Sequence, residues 1–514
     1  MGITEMADGY YWRPEWTCGR FNSNASVAII YNLIDGIAYF FEDYSAQVIG
    51  YILSVAKNES FTVEGLSDAT GIGTASLIPF MGELCELAIL SSQHITKGLS
   101  ISQRRRKLNI RNTNTESSDT HLQSSENPIA MNDAELAYKN KVGGIVSVML
   151  ELTYNCSEKC IHCYNIGATR NDKEISHRQD VKSLTFSEYQ RIIDELYDEG
   201  TIKVCLTGGD PFSNPDAWKI IEYLYKKGIA VDIYTNGLGL IGKEERLASF
   251  YPRVVGISLY SGLGHIHDSI TRISGSWQKT MTVIENLCAL SVPIVLKCAV
   301  FNQNVKSYYL VSEVAKRWNI PVQYELNIVD SIEGDKCVSR HLRLNSETLE
   351  IVLRDSRTPL YVGPELDSFG RTELDKDSNI CHAGYGSFCI TPDGNLIPCC
   401  SFHLVLGNLR HQHLSDILTK NGKLERWQSL KIGEYEDCGK HKYCGFCSPC
   451  AGQNYVEHGT PLKASSNNCY IAKTRYLLSK KMSETNYDPL NGKSLEDQLQ
   501  ELSEFSSEKI QREF

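Results

Sequence analysis

No stretch of this 514-residue chain approaches the ~18 uninterrupted apolar residues of a membrane-spanning helix. The first residues, Met1 to Asp8, hold no basic segment followed by an apolar one, so the sequence predicts a cytoplasmic protein with no secretory signal. Basic residues are also in deficit. The chain has 52 Lys and Arg against 62 Asp and Glu, a net charge of −10, which argues against broad binding to nucleic acid or to an anionic membrane. The deficit is sharpest over residues 1–96, where Arg13, Arg20 and Lys57 are the only cations against eleven carboxylates, a net of −8. Cysteine, by contrast, is abundant. Eighteen thiols in a large chain without an export signal point to metal rather than to disulfides, and ten lie between Cys337 and the end.

The alternating stretches Ser26–Tyr31 and Gly36–Phe41 predict a strand pair around Asp35-Gly36, and helical spacing follows over Tyr44–Lys57, Thr62–Ala69 and Thr74–Leu87. The last two helices read as a helix-turn-helix, with Ala88-Ile89-Leu90 as the start of a wing. A DNA-binding face needs clustered Lys and Arg to neutralise phosphates, and a unit at −8 has none. Residues 97–140 are polar and poor in apolar side chains, the composition of a flexible linker, and Arg104-Arg105-Arg106-Lys107 is a solvated part of it.

From Ile145 the pattern alternates. Strands are expected at 145–153, 203–206, 231–234, 254–259, 294–300 and 322–328, with helices at 186–199, 215–227, 243–250, 276–290 and 306–318. Six βα units predict an α/β fold with a parallel sheet and helices outside it. Directly after the first strand comes Cys156-Ser157-Glu158-Lys159-Cys160-Ile161-His162-Cys163. Three thiolates on one short loop can hold three irons of a [4Fe–4S] cube and leave the fourth open to a small molecule. A zinc knuckle would need a fourth ligand, usually in a second close pair, and none lies nearby.

This loop, at this place, resembles the signature of the radical S-adenosylmethionine (SAM) superfamily. The resemblance implies a partial (β/α)6 barrel over residues 141–345, with function at the C-terminal strand ends, and reductive cleavage of SAM to methionine and a 5′-deoxyadenosyl radical. Other strand ends match the family in order. Gly208-Gly209-Asp210 resembles the "GGE" segment that holds the SAM amino group, with Asp for Glu. Asn236 resembles a ribose or carboxylate contact, Ser258 a polar contact, and Arg272 the basic residue that reaches the SAM carboxylate. His162 stands where an aromatic residue packs on adenine. Cys205 and Cys298 read as small buried hydrophobes.

Residues 375–480 hold the second dense set. Asp393-Gly394 between apolar residues predicts a hairpin that brings Cys389 and Cys399 together. The set resembles the SPASM extension, which carries two auxiliary [4Fe–4S] clusters, three clusters in all with the first loop. The resemblance gives one cluster Cys381, Cys389, Cys399 and Cys450, with Cys400 as the alternative to Cys389, and the other Cys438, Cys444, Cys447 and Cys469. A zinc ribbon over Cys438–Cys450 is the competing reading. The segment from residue 483 is acidic, with Leu495, Leu499, Leu502 and Phe505 on one helical face that docks onto the body.

Residues 10–96 resemble the small PqqD-like winged-helix element by which peptide-modifying enzymes hold a leader peptide, added as a strand at a sheet edge. The combination implies a maturase of a ribosomally synthesised precursor peptide, served by a reductant such as flavodoxin or ferredoxin. A Cys thioether is the expected product. Carbon–carbon or ether cross-linking, epimerisation with Cys298 or Cys337 as hydrogen donor, a sulfatase-type formylglycine maturase and a non-enzymatic metal-sensing regulator are the alternatives. No catalytic acid, base or nucleophile is identifiable.

Overall fold

The computed structural model describes residues 10–93, 131–165, 182–330, 337–363, 375–381, 383–484 and 492–502. The Arg104–Lys107 quartet and Phe505 lie outside them, as does the side chain of Cys337. Its strands are β1 (Tyr10–Trp12), β2 (Thr17–Asn22), β3 (Val27–Asn32), β4 (Ile37–Glu42), β5 (Ser60–Thr62), β6 (Ser147–Glu151), β7 (Lys203–Thr207), β8 (Ala230–Thr235), β9 (Val254–Ser258), β10 (Ile294–Ala299), β11 (Val322–Glu325), β12 (Ser387–Ile390), β13 (Asn395–Ile397) and β14 (Gly407–Asn408). Among the described residues no helix is long and apolar enough to cross a membrane.

The six expected barrel strands are all present. Strands β6 to β11 pair in sequence order, each parallel to the next. Helices Phe186–Asp198, Ala217–Lys227 and Ser276–Ala289 lie between successive strands, as parallel pairing requires. The alternation of two fixes what each face carries. Val148, Leu150, Val204, Leu206, Val255 and Ile257 join helix residues such as Ile192, Ile220 and Ile284 in the main core. Met149, Cys205 and Tyr234 turn the other way, into the barrel. The sheet does not stop at β6: β12 adds beside it in parallel and continues as the antiparallel pair β13 and β14, giving nine strands.

The N-terminal unit contains the expected pair, β3 and β4, joined at Asp35-Gly36, where Gly36 has φ +76°. A third strand, β2, was not expected; it pairs with β3 on its other side. Ala28 and Ile30 face helices Asp43–Ser54, Val63–Thr70 and Thr74–Glu86, which sit close to their expected positions. The proposed start of a wing is instead a turn. Ile89 and Leu90 are drawn into the helical core, and Ser91 forms a single antiparallel bridge to Trp12.

The expected linker ends in structure. Helix Asp133–Val142 starts with a reciprocal cap between Asn132 and Glu135. It lies where β3 meets the lower, N-terminal ends of the barrel strands: Val27, Ile29, Tyr31, Tyr138, Val146, Ile202, Ala230 and Tyr251 form one core there. Inside it Glu135 accepts hydrogen bonds from the Tyr31 hydroxyl at 2.8 Å and from Lys203 Nζ at 2.6 Å, and both charged side chains are almost fully buried. Burial pushes the Glu135 carboxyl up, but Lys203 and Arg253 outweigh this and hold it below the usual range. Arg253 in turn pairs with the buried Asp232. At the other end of the chain, helix Leu495–Glu501 docks through buried Leu499, with Glu496 bonded to Tyr309 at 2.7 Å and to Arg357 at 2.9 Å.

Removing one partner from a buried pair leaves an uncompensated charge. Lys203→Met is expected to cost about 3–5 kcal/mol in urea unfolding. Because the Glu135 carboxyl is depressed, its stabilisation is present above the ordinary Glu pKa and is lost as pH falls through the folded value. Removing the cation should therefore move the acid-unfolding midpoint upward. The double variant Lys203→Met/Glu135→Leu should recover most of the loss; an equal or larger loss in the double variant would contradict this account.

Candidate functional site

The Cys156–Cys163 loop is held from two sides. Its backbone pairs with the end of helix Gly264–Thr271, through Lys159 N to Thr271 O at 2.9 Å and Ile161 N to Ile270 O at 3.0 Å. The end of β7 presses on it from the other side, with Gly209 N bonded to Thr153 O at 2.6 Å and Asp210 N to Asn155 O at 2.9 Å. That approach requires glycine. A Cβ on Gly208 would stand 2.3 Å from Thr153 O, and one on Gly209 would stand 2.3 Å from Asn155 O.

Cys156, Cys160 and Cys163 are half-buried neighbours whose thiols affect one another. Burial raises all three, Cys156 to about 12. Three thiolates are stable there only when a cation replaces their protons, which fits the group to an iron cluster. Asn236 Nδ2 donates to Cys156 Sγ at 3.4 Å and to Ser157 Oγ at 3.1 Å, so it braces the loop. His162 is half-buried between Tyr260 and Phe301, with ring centroids 4.6 and 4.9 Å away. Burial and nearby His267 lower it to about 4, so its ring is neutral at pH 7. Tyr260, itself stacked on His267, reaches Cys160 Sγ at 4.0 Å. Ser258 closes β9 beside the Tyr260 hydroxyl. Arg272 is exposed, just past the helix end that pairs with the loop, with φ +57°.

Asp210 also has a structural part. Its carboxylate is buried and accepts from Phe212 N at 3.0 Å, Asn236 N at 3.0 Å and Thr235 Oγ1 at 2.5 Å. It ties the ends of β7 and β8 together and leaves one acceptor site on Oδ1.

The C-terminal cysteines fall into two groups. In one, Cys399 neighbours Cys450, Cys450 neighbours Cys381, and Cys399 Sγ lies 4.0 Å from Cys400 Sγ. In the other, Cys438, Cys444, Cys447 and Cys469 lie together, with the thiols of Cys438 and Cys447 raised to about 12 by burial and then by one another. Cys389 is separate. The Asp393-Gly394 hairpin forms, but its register sets Cys389 opposite Ile397, two residues short of Cys399. Alternation then points Cys389 into the barrel with Met149 and Cys205. Cys298 faces the other way, into the helix-packed core. Among the described residues no three His, Cys, Asp or Glu side chains converge on one ion. Zinc would need thiolates about 2.3 Å from a common point, whereas a cube takes each on a different iron and leaves them wider apart.

Sequence reasoning did not single out Tyr260 or Phe301, which follow the ends of β9 and β10 and become neighbours of His162 only through the sheet.

Gly209→Ala forces the strand end away from the cysteine loop. The reconstituted variant is expected to lose about tenfold or more in SAM affinity by equilibrium binding. Gly73→Ala, whose Cβ would meet nothing within 4 Å, should leave it unchanged. Undiminished affinity in Gly209→Ala would contradict the close approach.

A profile of the radical SAM superfamily matches residues 150–306, and one of the SPASM iron–sulfur cluster-binding domain matches residues 381–451. Among curated proteins, the chain is similar to the antilisterial bacteriocin subtilosin biosynthesis protein AlbA of Bacillus subtilis strain 168. The two are 26% identical over 306 residues, 58% of this chain and 66% of AlbA. It is 24% identical over 341 residues to the AdoMet-dependent heme synthase of Methanosarcina barkeri, covering 61% of this chain and 93% of that protein. The sporulation killing factor maturation protein SkfB of B. subtilis is 23% identical over 279 residues, 53% of this chain and 64% of SkfB. The matches thus span just under two thirds of AlbA and of SkfB. Among solved structures, Streptococcus suis SuiB bound to its precursor peptide SuiA shares the fold, with a TM-score of 0.52 at 14% identity over 89% of this chain and 99% of SuiB. The chain is an enzyme built on a radical SAM domain and a SPASM iron–sulfur domain, with [4Fe–4S] clusters and SAM as its cofactors.

Proposed function

We propose that the enzyme matures a ribosomally synthesised precursor peptide by installing a cross-link, with a thioether between a Cys sulfur and a carbon of another residue as the favoured product. The observation that carries this reading is the position of Tyr164. It directly follows Cys163, and its side chain lies beside the Cys400 thiol, next to Cys399. One barrel interior thus borders both the first cysteine loop and the Cys381–Cys399–Cys450 group, and a peptide side chain presented there would meet both.

When bound, the cluster and SAM supply a one-electron cleavage and a radical that removes hydrogen from the substrate. The chain's residues hold and shield that chemistry. Cys156, Cys160 and Cys163 are the ligands of the first cluster. Gly208 and Gly209 let the strand end approach SAM, His162 offers a neutral flat ring to adenine, and Arg272 supplies the charge for the carboxylate. Asn236 and Ser258 are the remaining polar contacts. Cys381, Cys399 and Cys450 serve a second cluster, with Cys400 nearer to the fourth place than Cys389. Cys438, Cys444, Cys447 and Cys469 serve a third.

The N-terminal unit is read as the leader-binding element, and 10–96, 141–345 and 375–480 as the three working domains. Supporting this, β4 is an edge strand whose outer side has no strand partner among the described residues, with Phe41 packed on Phe80 of the adjoining helix. The printed roles of AlbA and SkfB, and the peptide held by SuiB, support a precursor peptide as partner. A cytoplasmic location and a flavodoxin- or ferredoxin-type reductant complete the reading.

Two measurements test it. Anaerobic reconstitution should give ~12 irons per chain; one zinc and four irons would remove the auxiliary clusters. A precursor peptide accepted by the enzyme should lose two hydrogens per modification, and its Cys should resist iodoacetamide. Loss of two hydrogens with the Cys still alkylated would point to a carbon–carbon or ether link. Unchanged mass with solvent deuterium at an α-carbon would replace cross-linking by epimerisation.

A further inference from the structure

The inner wall of the barrel carries three polar side chains that the account so far does not use. Tyr234 on β8, Lys297 on β10 and Gln323 on β11 face the interior, because Ile233, Leu296, Cys298, Val322 and Tyr324 around them lie in the outer core. Lys297 is paired in register with Gln323. Between Tyr234 and Lys297 stands Gly256 of β9, where a Cβ would come 2.6 Å from Tyr234 Cδ1 and 3.1 Å from Lys297 Cδ. With no side chain there, Lys297 Nζ crosses to within 3.6 Å of the Tyr234 ring centroid.

None of the three has its polar group satisfied among the described residues. The Tyr234 hydroxyl and Gln323 Oε1 are buried without a hydrogen-bond partner. The Lys297 ammonium has the ring beneath it and no hydrogen-bond acceptor; Cys205, Cys400, Glu325 and Asp232 act on it without bonding it. Glu325 stands on the same face two residues beyond Gln323, but its carboxylate accepts from Asn327 N at 2.7 Å and makes no ion pair with Lys297. A hydroxyl or amide oxygen held away from water without a hydrogen-bond partner is costly, and a half-buried ammonium without an acceptor adds to that cost. Side by side, such groups are retained where a ligand supplies the missing partners.

We propose that Lys297, Tyr234 and Gln323 form a subsite for a carboxylate of the substrate peptide. Lys297 and the Tyr234 hydroxyl donate to the two carboxylate oxygens, and Gln323 Oε1 accepts the neighbouring peptide N–H. The carboxylate comes from an Asp or Glu side chain or from the peptide C-terminus; a lysine, as a point charge, accepts either. The inference rests on the reading of the substrate as a peptide processed inside the barrel.

The test uses the full chain with its clusters and SAM, and isothermal titration with three probes: N-acetylglutamic acid α-amide, N-acetylalanine and the neutral N-acetylglutamine α-amide. One carboxylate probe is expected to bind at least about tenfold tighter than the neutral one, and which one identifies the source. Lys297→Gln and Tyr234→Phe should each weaken that binding about tenfold, and Lys297→Arg should restore most of it. Tyr234→Phe should also leave the thermal midpoint of the ligand-free protein unchanged or raised, because it removes an unsatisfied hydroxyl. Equal binding of all three probes, no binding of any, or carboxylate binding indifferent to both substitutions would overturn the proposal, as would a clear drop in the Tyr234→Phe midpoint. Binding is read without turnover. A protein that discriminates the probes yet modifies no peptide would contradict the maturase reading and leave the subsite standing.

Discussion

A parallel sheet covered by helices on one face must hide apolar side chains there and send every second residue the other way. In this protein that alternation sorts the chemistry. The outward residues of β6 to β11 are mostly aliphatic, with Cys298 and Tyr324 among them, and merge with the helices into one core. The inward residues include sulfur, hydroxyl, amide and charge: Met149, Cys205, Tyr234, Lys297, Gln323 and, from the added strand β12, Cys389. A one-residue slip in any strand would exchange these sets, so the register that stabilises the fold is also what builds the interior.

The two ends of that interior are held by different means. At the upper end, glycine at 208 and 209 and the buried Asp210 carboxylate draw β7, β8 and the cysteine loop together by backbone contact. At the lower end, a buried ionic group joins three segments far apart in sequence: Tyr31 of the N-terminal sheet, Glu135 of the connecting helix and Lys203 of the barrel. Because β13 runs antiparallel to β12, Cys399 also lies toward this lower end. The N-terminal sheet and the Cys381–Cys399–Cys450 group are therefore on the same side, opposite the Cys156–Cys163 loop.

Much of this was legible in the sequence. Period-two and helical patterns located the six barrel strands, the helices between them and the three N-terminal helices, because each is a local property of spacing. What was not legible depended on partners remote in sequence. Strand β2 is short and contains Gly19 and Arg20, so its alternation is visible only beside β3. Helix Asp133–Val142 follows a polar stretch and draws its stability from the barrel and the sheet rather than from an apolar stripe of its own. Asp210 looked like a free carboxylate after two glycines; the donors that occupy it, Thr235 and Asn236, are more than twenty residues away. The surroundings of Cys389 were not legible for the same reason. The hairpin was predictable from Asp393-Gly394, but which face Cys389 takes follows from the register with β6 and β13.

The central claim is that the Cys156–Cys163 loop carries the cluster that cleaves SAM. Cys160 is the most direct probe, since its thiol sits between Glu158 and Tyr260 and its loss opens the ligand set on the buried side. The measurement is 5′-deoxyadenosine formed from SAM under dithionite by reconstituted Cys160→Ala. The account predicts none above background; a yield equal to that of the unaltered protein would contradict it.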